Sequence, residues 1–256
     1  MISINLKKGK KVYFSSDNHL GAPNHSESLI REKIFVSWLE QIRSDAQVIF
    51  LLGDLFDFWF EYYHSIPKGF TRVLGKLSEL CDSGIKIYFF VGNHDFWTLD
   101  YFTKQIGLEV IKKPTEFKIN DKLFFIGHGD GLGPGDLKYK FLKRIFRNPL
   151  FIFLFRINYP WIGIPLGNFF SRNNKTLSGK QAKFISKDKE MLYHFCKKKL
   201  TKAFYDFFVF GHRHIPLKLD LDNGSYYYNT GDWITHYSYL VFDGNDILLK
   251  HYKNKN

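Results

Sequence analysis

The chain has 256 residues, 45% of them hydrophobic, so it can bury a sizeable core without covalent cross-links. Its two cysteines, Cys81 and Cys196, lack the CxxC spacing typical of zinc and redox motifs, and a reducing compartment is expected. The formal net charge of +12 is concentrated between Lys138 and Lys202, where 16 Lys or Arg residues stand against two acidic residues. Such a block indicates a nucleic acid, an anionic lipid headgroup or a phosphorylated ligand as partner.

Neither a secretion signal nor a membrane span is predicted. The first residues, MISINLKKGKKVYFSSD, contain no apolar core ahead of a small-residue cleavage site. The most tempting membrane stretch, 150–170, is interrupted by Arg156, Pro160 and Pro165, whereas a spanning helix needs about 20 largely apolar residues. We therefore expect a cytoplasmic protein.

Five short apolar runs, each ending in a polar cluster, organise most of the chain. They are KVYFSSDNH (11–19), VIFLLGD (48–54), IYFFVGNHD (87–95), LFFIGHGD (123–130) and FFVFGHRH (207–214). Continuous apolar runs indicate strands that are covered on both faces. Helical segments, such as 26–44, lie between them, and ligands of α/β sheets gather at the carboxyl ends of strands. We therefore expect the five polar clusters to lie together.

The remaining segments differ in kind. SYYYNTGDW (225–233) and YLVFDGNDILLKHY (239–252) predict strands joined by turns, which indicates a second β layer. Residues 131–200 contain no clear strand and carry the basic excess, so we interpret them as a helical cap inserted into a single domain, 1–256. The predicted fold class is α/β.

Oxygen and imidazole donors follow all five strands. They are Asp17, His19, Asp54, Asn93, His94, His128, His212 and His214. One such residue more often caps a helix or satisfies a buried carbonyl, but five clusters on five strands are hard to explain in that way. Seven donors remain without His94, more than one tetrahedral zinc needs, so two divalent ions are indicated. Mn²⁺, Fe²⁺ and Zn²⁺ all accept such ligands, and a two-ion site suits hydrolysis of phosphate esters or anhydrides.

The ordered set D-x-H (17–19), GD-x-x-D (53–57), GNHD (92–95), His128 and GHxH (211–214) resembles the signature of calcineurin-like metallophosphoesterases. The resemblance implies a four-layer α/β/β/α sandwich and two ions, for which we expect manganese. It implies Asp17, His19 and His214 as ligands of one ion, Asn93, His128 and His212 as ligands of the other, and Asp54 as the bridge.

Several longer segments resemble the UDP-2,3-diacylglucosamine hydrolases of lipid A biosynthesis. They are GDLFDFWFEYY (53–63), GHGDGLGPGDLKYKFLKRIFRN (127–148) and NTGDW (229–233), together with the helical insertion. This resemblance implies attack by a metal-activated hydroxide on the α-phosphorus of the substrate, giving UMP and 2,3-diacylglucosamine 1-phosphate at the cytoplasmic face of the inner membrane. The implied substrate contacts are Asn93, His94, Asp136, Tyr139, Ser171, Arg172, Lys175 and His212.

His94 departs from the arginine that well-known members of this narrower family carry. A protonated histidine beside the ions acts as a general acid, typically worth about 10²–10⁴-fold, or as a stabilising charge. We expect His94 and Asp54 to be the catalytic pair. Asp57, Asp95 and Asp130 are expected to hold histidine rings or loop backbone around them. The same departure leaves open a broader phosphodiesterase or a nucleotide phosphohydrolase.

The cap has two open interpretations. Basic and apolar residues interleave over 138–147, which is typical of a helix lying on an anionic membrane or packing on its own domain. The run LFIFLF (150–155) fits either an acyl chamber or ordinary cap core. This hydrophobic insert argues against a nuclease, and no protein partner is evident. A catalytically inactive scaffold is disfavoured because all seven predicted metal positions carry suitable donors.

Overall fold

The computed structural model describes residues 1–135, 137–172 and 184–253, with only the backbone for Lys138, Phe170 and Arg172. The strands are β1 Ile2–Ile4, β2 Lys11–Ser15, β3 Ala46–Leu51, β4 Lys86–Phe90, β5 Glu109–Ile111, β6 Thr115–Ile119, β7 Lys122–Ile126, β8 Phe207–Phe210, β9 Pro216–Asp220, β10 Tyr226–Thr230, β11 Ser238–Phe242 and β12 Ile247–His251. The α-helices are α1 His25–Ile42, α2 Thr71–Asp82, α3 Leu137–Phe146, α4 Pro149–Ile157, α5 Pro160–Arg172 and α6 Met191–Leu200. A π-helical turn, Phe102–Ile106, and a 3-10 turn, Lys187–Lys189, complete the set.

The strands form two six-stranded mixed sheets. Sheet 1 has the order β12-β11-β2-β3-β4-β5, and sheet 2 has the order β1-β6-β7-β8-β10-β9. The five predicted strands are β2, β3 and β4, which are parallel neighbours in sheet 1, and β7 and β8, which are parallel neighbours in sheet 2. Because parallel strands end at the same edge of a sheet, the polar clusters that follow them meet there.

The central strands are apolar on both faces because each face meets a different layer. In β2, Phe14 faces the core between the two sheets, whereas Tyr13 faces the core under the helices of sheet 1. Phe14, Phe50 and Tyr88 lie in register on β2, β3 and β4. Their rings stack with centroid distances of 5.0 and 5.1 Å. This packing explains why the runs are continuous rather than alternating.

Helices cover the outer face of each sheet. Helices α1 and α2 pack on sheet 1, and α6 packs its buried Leu192 and Cys196 on sheet 2. The order of layers is therefore α/β/β/α, which confirms the predicted fold. Helix α1 begins after Asn24, whose side chain accepts a hydrogen bond from the Glu27 amide. Ile30 of α1 is apolar but 60% exposed, so it lies outside the buried face of this helix.

Helices α3, α4 and α5 lie beside the strand-end edge rather than on a sheet. Phe155 of α4 and Ile164 of α5 pack against Phe58, Phe60 and Tyr62, which follow β3. The described part of 131–200 contains no strand, as predicted. In the portion of the chain that the structure describes, every helix is too short or too polar to cross a membrane.

Candidate metal centre and substrate cavity

Five of the predicted donors have a backbone that side-chain-bearing residues rarely adopt. Asp17, His19, Asp54, His212 and His214 have φ angles of 56°, 45°, 53°, 67° and 54°. Residues other than glycine seldom occupy this left-handed region, and the conformation costs about 1–3 kcal/mol at each position. Strain concentrated on five potential ligands indicates that the surrounding fold holds these side chains in place for function.

Asp17, His19 and His214 form the first donor group. Nε2 of His214 lies 3.2 Å from Oδ1 of Asp17. Nε2 of His19 lies 3.3 Å from Nε2 of His214 and 3.9 Å from the same carboxylate oxygen. Two ring nitrogens and one carboxylate oxygen therefore converge on one position, as one divalent ion requires.

A carboxylate behind each ring orients these two histidines. Nδ1 of His19 lies 3.3 Å from Oδ1 of Asp57, and Nδ1 of His214 lies 3.5 Å from Oδ2 of Asp232. A proton shared with a carboxylate at Nδ1 leaves the Nε2 lone pair available to a metal. Asp57 was predicted for such a role. Asp232 was missed, although it follows β10 within NTGDW and the strand-end rule could have found it.

Asp54, His128 and His212 form the second donor group, with Asn93 beside it. Nε2 of His128 lies 3.3 Å from Oδ2 of Asp54 and 3.1 Å from Oδ1 of Asn93. The same Asp54 oxygen lies 3.7 Å from Nε2 of His19 in the first group. The structure thus brings together all seven predicted ligands, with Asp54 between the two groups.

The donor set fits two divalent cations. Each group of three offers ligand atoms within 4.8 Å of one another, and the donors are carboxylate, amide and imidazole. The rings of His128 and His212 lie 5.1 Å apart between centroids, close enough to share one ion. Nδ1 of His128 lies 2.7 Å from the carbonyl oxygen of Leu52, which orients the ring as Asp57 orients His19.

Burial and the carboxylates compete in setting the charge of the imidazoles. Burial lowers the pKa of His19, but the contacts with Asp17, Asp57 and Asp54 together outweigh it and the pKa rises to about 10. Burial also lowers the pKa of His128, but the contacts with Asp54 and the charges of neighbouring carboxylates together raise it to about 10. Burial and the charge of His128 lower the pKa of His212 to about 4. The carboxylates thus supply negative charge that a divalent cation would neutralise in place of these protons.

Asp95 braces the loops that carry the second group. Its carboxylate accepts hydrogen bonds from the amides of Leu55 and Gly92, each at 2.8 Å, as the sequence predicts. Burial, and next the charge of Asp54, raise the pKa of Asp95 to about 7. A Cβ atom at Gly92 would overlap the Asp54 carboxylate, so glycine is needed for this close approach.

Helix α1 holds the loop that carries the first group, a role that sequence reasoning missed. Nη2 of Arg31 donates a hydrogen bond to the carbonyl oxygen of His19 at 2.9 Å and another to that of Ala22. The amide of Gly21 donates to Oγ of Ser28 at 2.7 Å. Arg31 and Ser28 are 6% and 5% exposed, so these contacts are shielded from water. Arg31 therefore positions the backbone of a predicted metal ligand.

His94 lies between the donor groups and the cap. Its amide donates to Oδ1 of Asp54 at 2.9 Å, and its ring meets the His19 ring edge-on at 4.7 Å. Nδ1 of His94 lies 2.7 Å from the carbonyl oxygen of Asp57 and 2.8 Å from Oγ of Ser171. Burial lowers the pKa of His94. The ring is thus fixed at Nδ1 beside both groups, where a reacting phosphoryl group would lie.

A cavity of about 650 Å³ extends from the donor groups into the cap. Most of its wall is apolar side chains, namely Phe58, Phe96, Trp97, Leu142, Phe146, Phe151, Phe155 and Leu166. Its polar end is formed by Asp57, Asn93, His94, Asp130, Tyr139, Lys143, Arg147 and Ser171. The cavity therefore suits a ligand that has a polar head at the donor groups and an apolar tail in the cap.

The predicted substrate contacts are placed as follows. Asn93, His94, Tyr139 and Ser171 line the cavity, and the His212 ring lies 6.2 Å from the Tyr139 ring between centroids. Asp136, Lys175 and the side chain of Arg172 lie outside the described residues.

The basic residues of α3 face the protein more than the sequence pattern suggests. Nζ of Lys143 pairs with the Asp130 carboxylate, which also accepts a hydrogen bond from the Tyr139 hydroxyl at 2.9 Å. Asp130 thus contacts α3, whereas we expected it to hold a histidine ring or loop backbone. Nζ of Lys140 donates to the carbonyl oxygen of Gly133 at 2.6 Å, and the Arg147 guanidinium packs over Phe96. Lys140, Lys143 and Arg147 therefore contact other parts of the protein and do not form a freely solvated basic face.

Comparisons with known proteins agree with the geometry. The family described as Calcineurin-like phosphoesterase matches residues 10–216. A UDP-2,3-diacylglucosamine hydrolase from Porphyromonas gingivalis is 38% identical over 253 residues, which cover 94% of this chain and 97% of that protein. A UDP-2,3-diacylglucosamine hydrolase from Pseudomonas fluorescens is 34% identical over 125 residues, 48% of this chain and 49% of that protein. One from Vibrio atlanticus is 25% identical over 250 residues, 91% and 93% of the two chains.

Proposed function

The chain belongs to the calcineurin-like phosphoesterase family of metal-dependent hydrolases, and on this premise we propose that it hydrolyses the diphosphate of UDP-2,3-diacylglucosamine. The products are UMP and 2,3-diacylglucosamine 1-phosphate, and the reaction is a step of lipid A biosynthesis. One observation carries the proposal: an apolar cavity of about 650 Å³ opens onto two groups of carboxylate and imidazole donors. A nucleotide with a short polar substituent would leave this apolar cavity unfilled, whereas the acyl chains of a diacylated sugar would fill it.

The metal ligands in this proposal are the seven predicted donors. Asp17, His19 and His214 would hold one ion, and Asn93, His128 and His212 would hold the other. The Asp54 carboxylate lies between the two groups and would serve both. When bound, two divalent ions supply an activated water and neutralise the charge that develops on the phosphoryl oxygens. Manganese is the metal that we expect, although iron and zinc also suit these ligands. Asp57 and Asp232 contact Nδ1 of His19 and His214, which would leave the Nε2 lone pairs to bind the first ion.

His94 stabilises the leaving phosphate in the proposed reaction. The leaving group of a diphosphate is itself a phosphate, a weak base that gains more from positive charge or a hydrogen bond than from full protonation. The contacts of Nδ1 with the Asp57 carbonyl and the Ser171 hydroxyl fix the ring beside both donor groups. Burial lowers the pKa of His94, so this role requires the negative charge of the bound diphosphate to favour the protonated ring. Arg147, at the polar end of the cavity, adds cationic charge near the phosphates, whereas the charge of Lys143 is balanced by Asp130.

Helices α3, α4 and α5 form the proposed substrate cap. The apolar rings of Phe151 and Phe155 on α4 and of Phe146 on α3 line the cavity, where they would surround the acyl chains. Burying one methylene of an acyl chain yields about 0.8 kcal/mol, so a chain of ordinary length contributes several kcal/mol to binding. Helix α6 packs on sheet 2 instead, so we place α6 outside the cap that was predicted over 131–200.

The outer side of the cap suits the membrane where a diacylated substrate lies. Large apolar side chains of α4 and α5 face outward, among them Leu150 at 64% exposure and Trp161 at 74%. Apolar side chains clustered on one surface indicate an interaction site. Arg144 on α3 is exposed and adds positive charge on the cap. We therefore propose that the protein acts from the cytoplasm, bound peripherally to the anionic inner face of the membrane.

Hydrolysis of UDP-2,3-diacylglucosamine in ¹⁸O-water tests the reaction. Attack at the α-phosphorus places the label in UMP, and mass spectrometry of both products detects it. Label in the diacylglucosamine 1-phosphate instead would contradict the proposed site of attack. Absence of UMP release by the manganese-loaded protein would contradict the proposed function itself.

A broader phosphodiesterase activity is the second candidate, and His94 is the observation that favours it. A fixed imidazole beside the donor groups can protonate an alcohol leaving group, which arginine cannot. The test compares kcat/KM for bis(p-nitrophenyl) phosphate with kcat/KM for UDP-2,3-diacylglucosamine. A value for the lipid substrate that exceeds the value for the small diester by several orders of magnitude would exclude this candidate as the main function.

A further inference from the structure

A second, polar crevice adjoins the cavity at the donor groups. It measures about 40 Å³, and we call it the basic crevice. Its ionisable lining residues are Lys112, Lys113, His128, Asp130, Lys143 and Arg147, and the rest of its wall is apolar side chains and glycine. Lys112 and Lys113 come from the segment between β5 and β6, and Lys143 and Arg147 come from α3. Asp130, Lys143 and Arg147 also line the apolar cavity, so these side chains form the wall between the two spaces.

The charge of the basic crevice is largely uncompensated. Lys143 is neutralised by its ion pair with Asp130. In the described ranges of the chain, no carboxylate lies within ion-pair distance of Lys112, Lys113 or Arg147. At its inner end the crevice reaches His128, a member of the second donor group. Cations therefore converge on a small polar space that touches the proposed reaction centre.

The size of the crevice limits what it can hold. A space of about 40 Å³ holds a few water molecules, because one water needs about 10–15 Å³. The crevice is therefore on the scale of a single phosphate group and far smaller than the cavity of about 650 Å³ beside it. Lysine and arginine are the side chains that bind phosphate oxygens most strongly.

The proposed reaction creates a need for such a site. Water adds across the P–O–P bridge: its oxygen joins one phosphorus, the bridging oxygen leaves with the other, and both products are phosphate monoesters. Each monoester carries about −1.5 to −2 charges at neutral pH, so the two repel each other when formed side by side. Two ions bound by the donor groups would neutralise one of these anions, and the second would need protein cations beside them.

We propose that the basic crevice is a binding subsite for the phosphate-monoester anion of one hydrolysis product. The inference rests on the proposed function and extends it by assigning Lys112 and Lys113, which lie outside the family motifs, to product phosphate. The same phosphate chemistry belongs to UMP and to the sugar 1-phosphate. The crevice therefore binds one or the other, and the experiment separates them.

Isothermal titration calorimetry on the manganese-loaded full-length protein measures the Kd of three probes: UMP, glucosamine 1-phosphate and inorganic phosphate. The test variant is Lys112→Ala/Lys113→Ala. The matched control is Lys7→Ala/Lys8→Ala, an exposed pair of neighbouring lysines after β1 that removes the same charge. Strand β1 is parallel to β6 and β6 is antiparallel to β7, so this control pair lies at the opposite edge of sheet 2.

We expect the Kd of at least one monoester to rise about tenfold in the test variant and less than twofold in the control. A rise for UMP alone assigns the crevice to the nucleotide half, and a rise for glucosamine 1-phosphate alone assigns it to the lipid half. A rise for all three probes shows recognition of phosphate itself. Unchanged affinities in the test variant, equal losses in both variants, or no binding by the wild type would each overturn the subsite. These measurements need no lipid substrate, so the subsite can fail while UMP release by the wild type still supports the proposed function.

Discussion

The hydroxyl oxygen of Ser171 lies 2.8 Å from Nδ1 of His94, although the two residues are 77 positions apart in the chain. The same hydroxyl donates a hydrogen bond to the carbonyl oxygen of Asp57 at 2.6 Å. The end of α5 is thereby tied to the ring beside both donor groups and to the loop that orients His19. The position of the cap and the position of His94 are thus mechanically linked.

Ser171→Ala tests whether this contact positions His94. Losing one hydrogen bond of this kind costs about 0.5–1.5 kcal/mol, so we expect kcat for bis(p-nitrophenyl) phosphate to fall about two- to tenfold with KM little changed. Steady-state kinetics with Ser37→Ala, an exposed serine on α1, provide the control. If Ser171 acts only as a contact for the lipid substrate, the small diester is unaffected and KM for UDP-2,3-diacylglucosamine rises instead.

Asp54→Ala tests the two-ion arrangement. Because Asp54 lies between both donor groups, we expect kcat to fall about a thousandfold or more and the bound metal to drop below two ions per chain. Circular dichroism should show a folded protein, since the histidines left behind can lose their protons. Asp54→Asn keeps an acceptor for the His94 amide and separates that role from metal binding. Near-wild-type turnover in Asp54→Ala would refute the two-ion site.

Arg31→Lys tests the support that α1 gives to the first donor group. Both hydrogen bonds come from Nη2, a terminal nitrogen of Arg31, and the shorter lysine side chain cannot reach both carbonyl oxygens, so the loop from His19 to Ala22 loses a tether. We expect about tenfold weaker manganese binding, measured by calorimetry, and activity that is restored at high manganese concentration. Arg72→Lys, an exposed arginine at the start of α2, is the matched control. Wild-type metal affinity in Arg31→Lys would show that α1 does not position the ligand.

Gly167→Ala tests the packing of α5 over the cavity. A Cβ atom at Gly167 would overlap the Phe58 ring, so either the ring or helix α5 must shift. Both line the cavity, so either shift changes its shape. We expect KM for UDP-2,3-diacylglucosamine to rise about tenfold while kcat/KM for bis(p-nitrophenyl) phosphate changes less than threefold. Gly75→Ala on α2 has open space around the new Cβ and should instead stabilise the fold by about 0.4–1 kcal/mol. Equal losses on both substrates in Gly167→Ala would indicate damage beyond the cap.

Leu150→Ser/Trp161→Ser tests membrane binding through the outer side of the cap. Removing two exposed apolar side chains from a membrane interface should weaken binding to phosphatidylglycerol vesicles about tenfold or more in a sedimentation assay. Ile30→Ser/Leu248→Ser removes exposed apolar side chains on α1 and β12, away from the cap, and should bind like the wild type. Identical binding by both variants would place the membrane contact elsewhere.

The α/β fold class and the donor set were readable in the sequence because both depend on local pattern. Each apolar run identifies a strand, and the polar residue that follows it marks the strand's carboxyl end. Parallel pairing then requires Asp17, Asp54 and Asn93 to share one edge of sheet 1. The second sheet contributes His128 and His212 by the same rule. No knowledge of long-range packing was needed for these expectations.

Other features depended on packing between segments distant in the chain. The sequence pattern alone does not show that Asp232 lies behind His214, that Arg31 reaches the carbonyl of His19, or that α6 covers sheet 2. Amphipathic spacing in α3 was correct, yet it left open which partner its cations would meet. The structure places Lys143 against Asp130 and Arg147 over Phe96.

Periodicity therefore determined where strands end and which side chains stand there, because those properties follow from the backbone repeat of two residues and from burial on both faces. Only the tertiary structure decided which ring nitrogens converge, how the cap lies beside the donor groups and where the basic crevice opens. Those properties arise from contacts between elements far apart in sequence, and such contacts leave no local pattern to read.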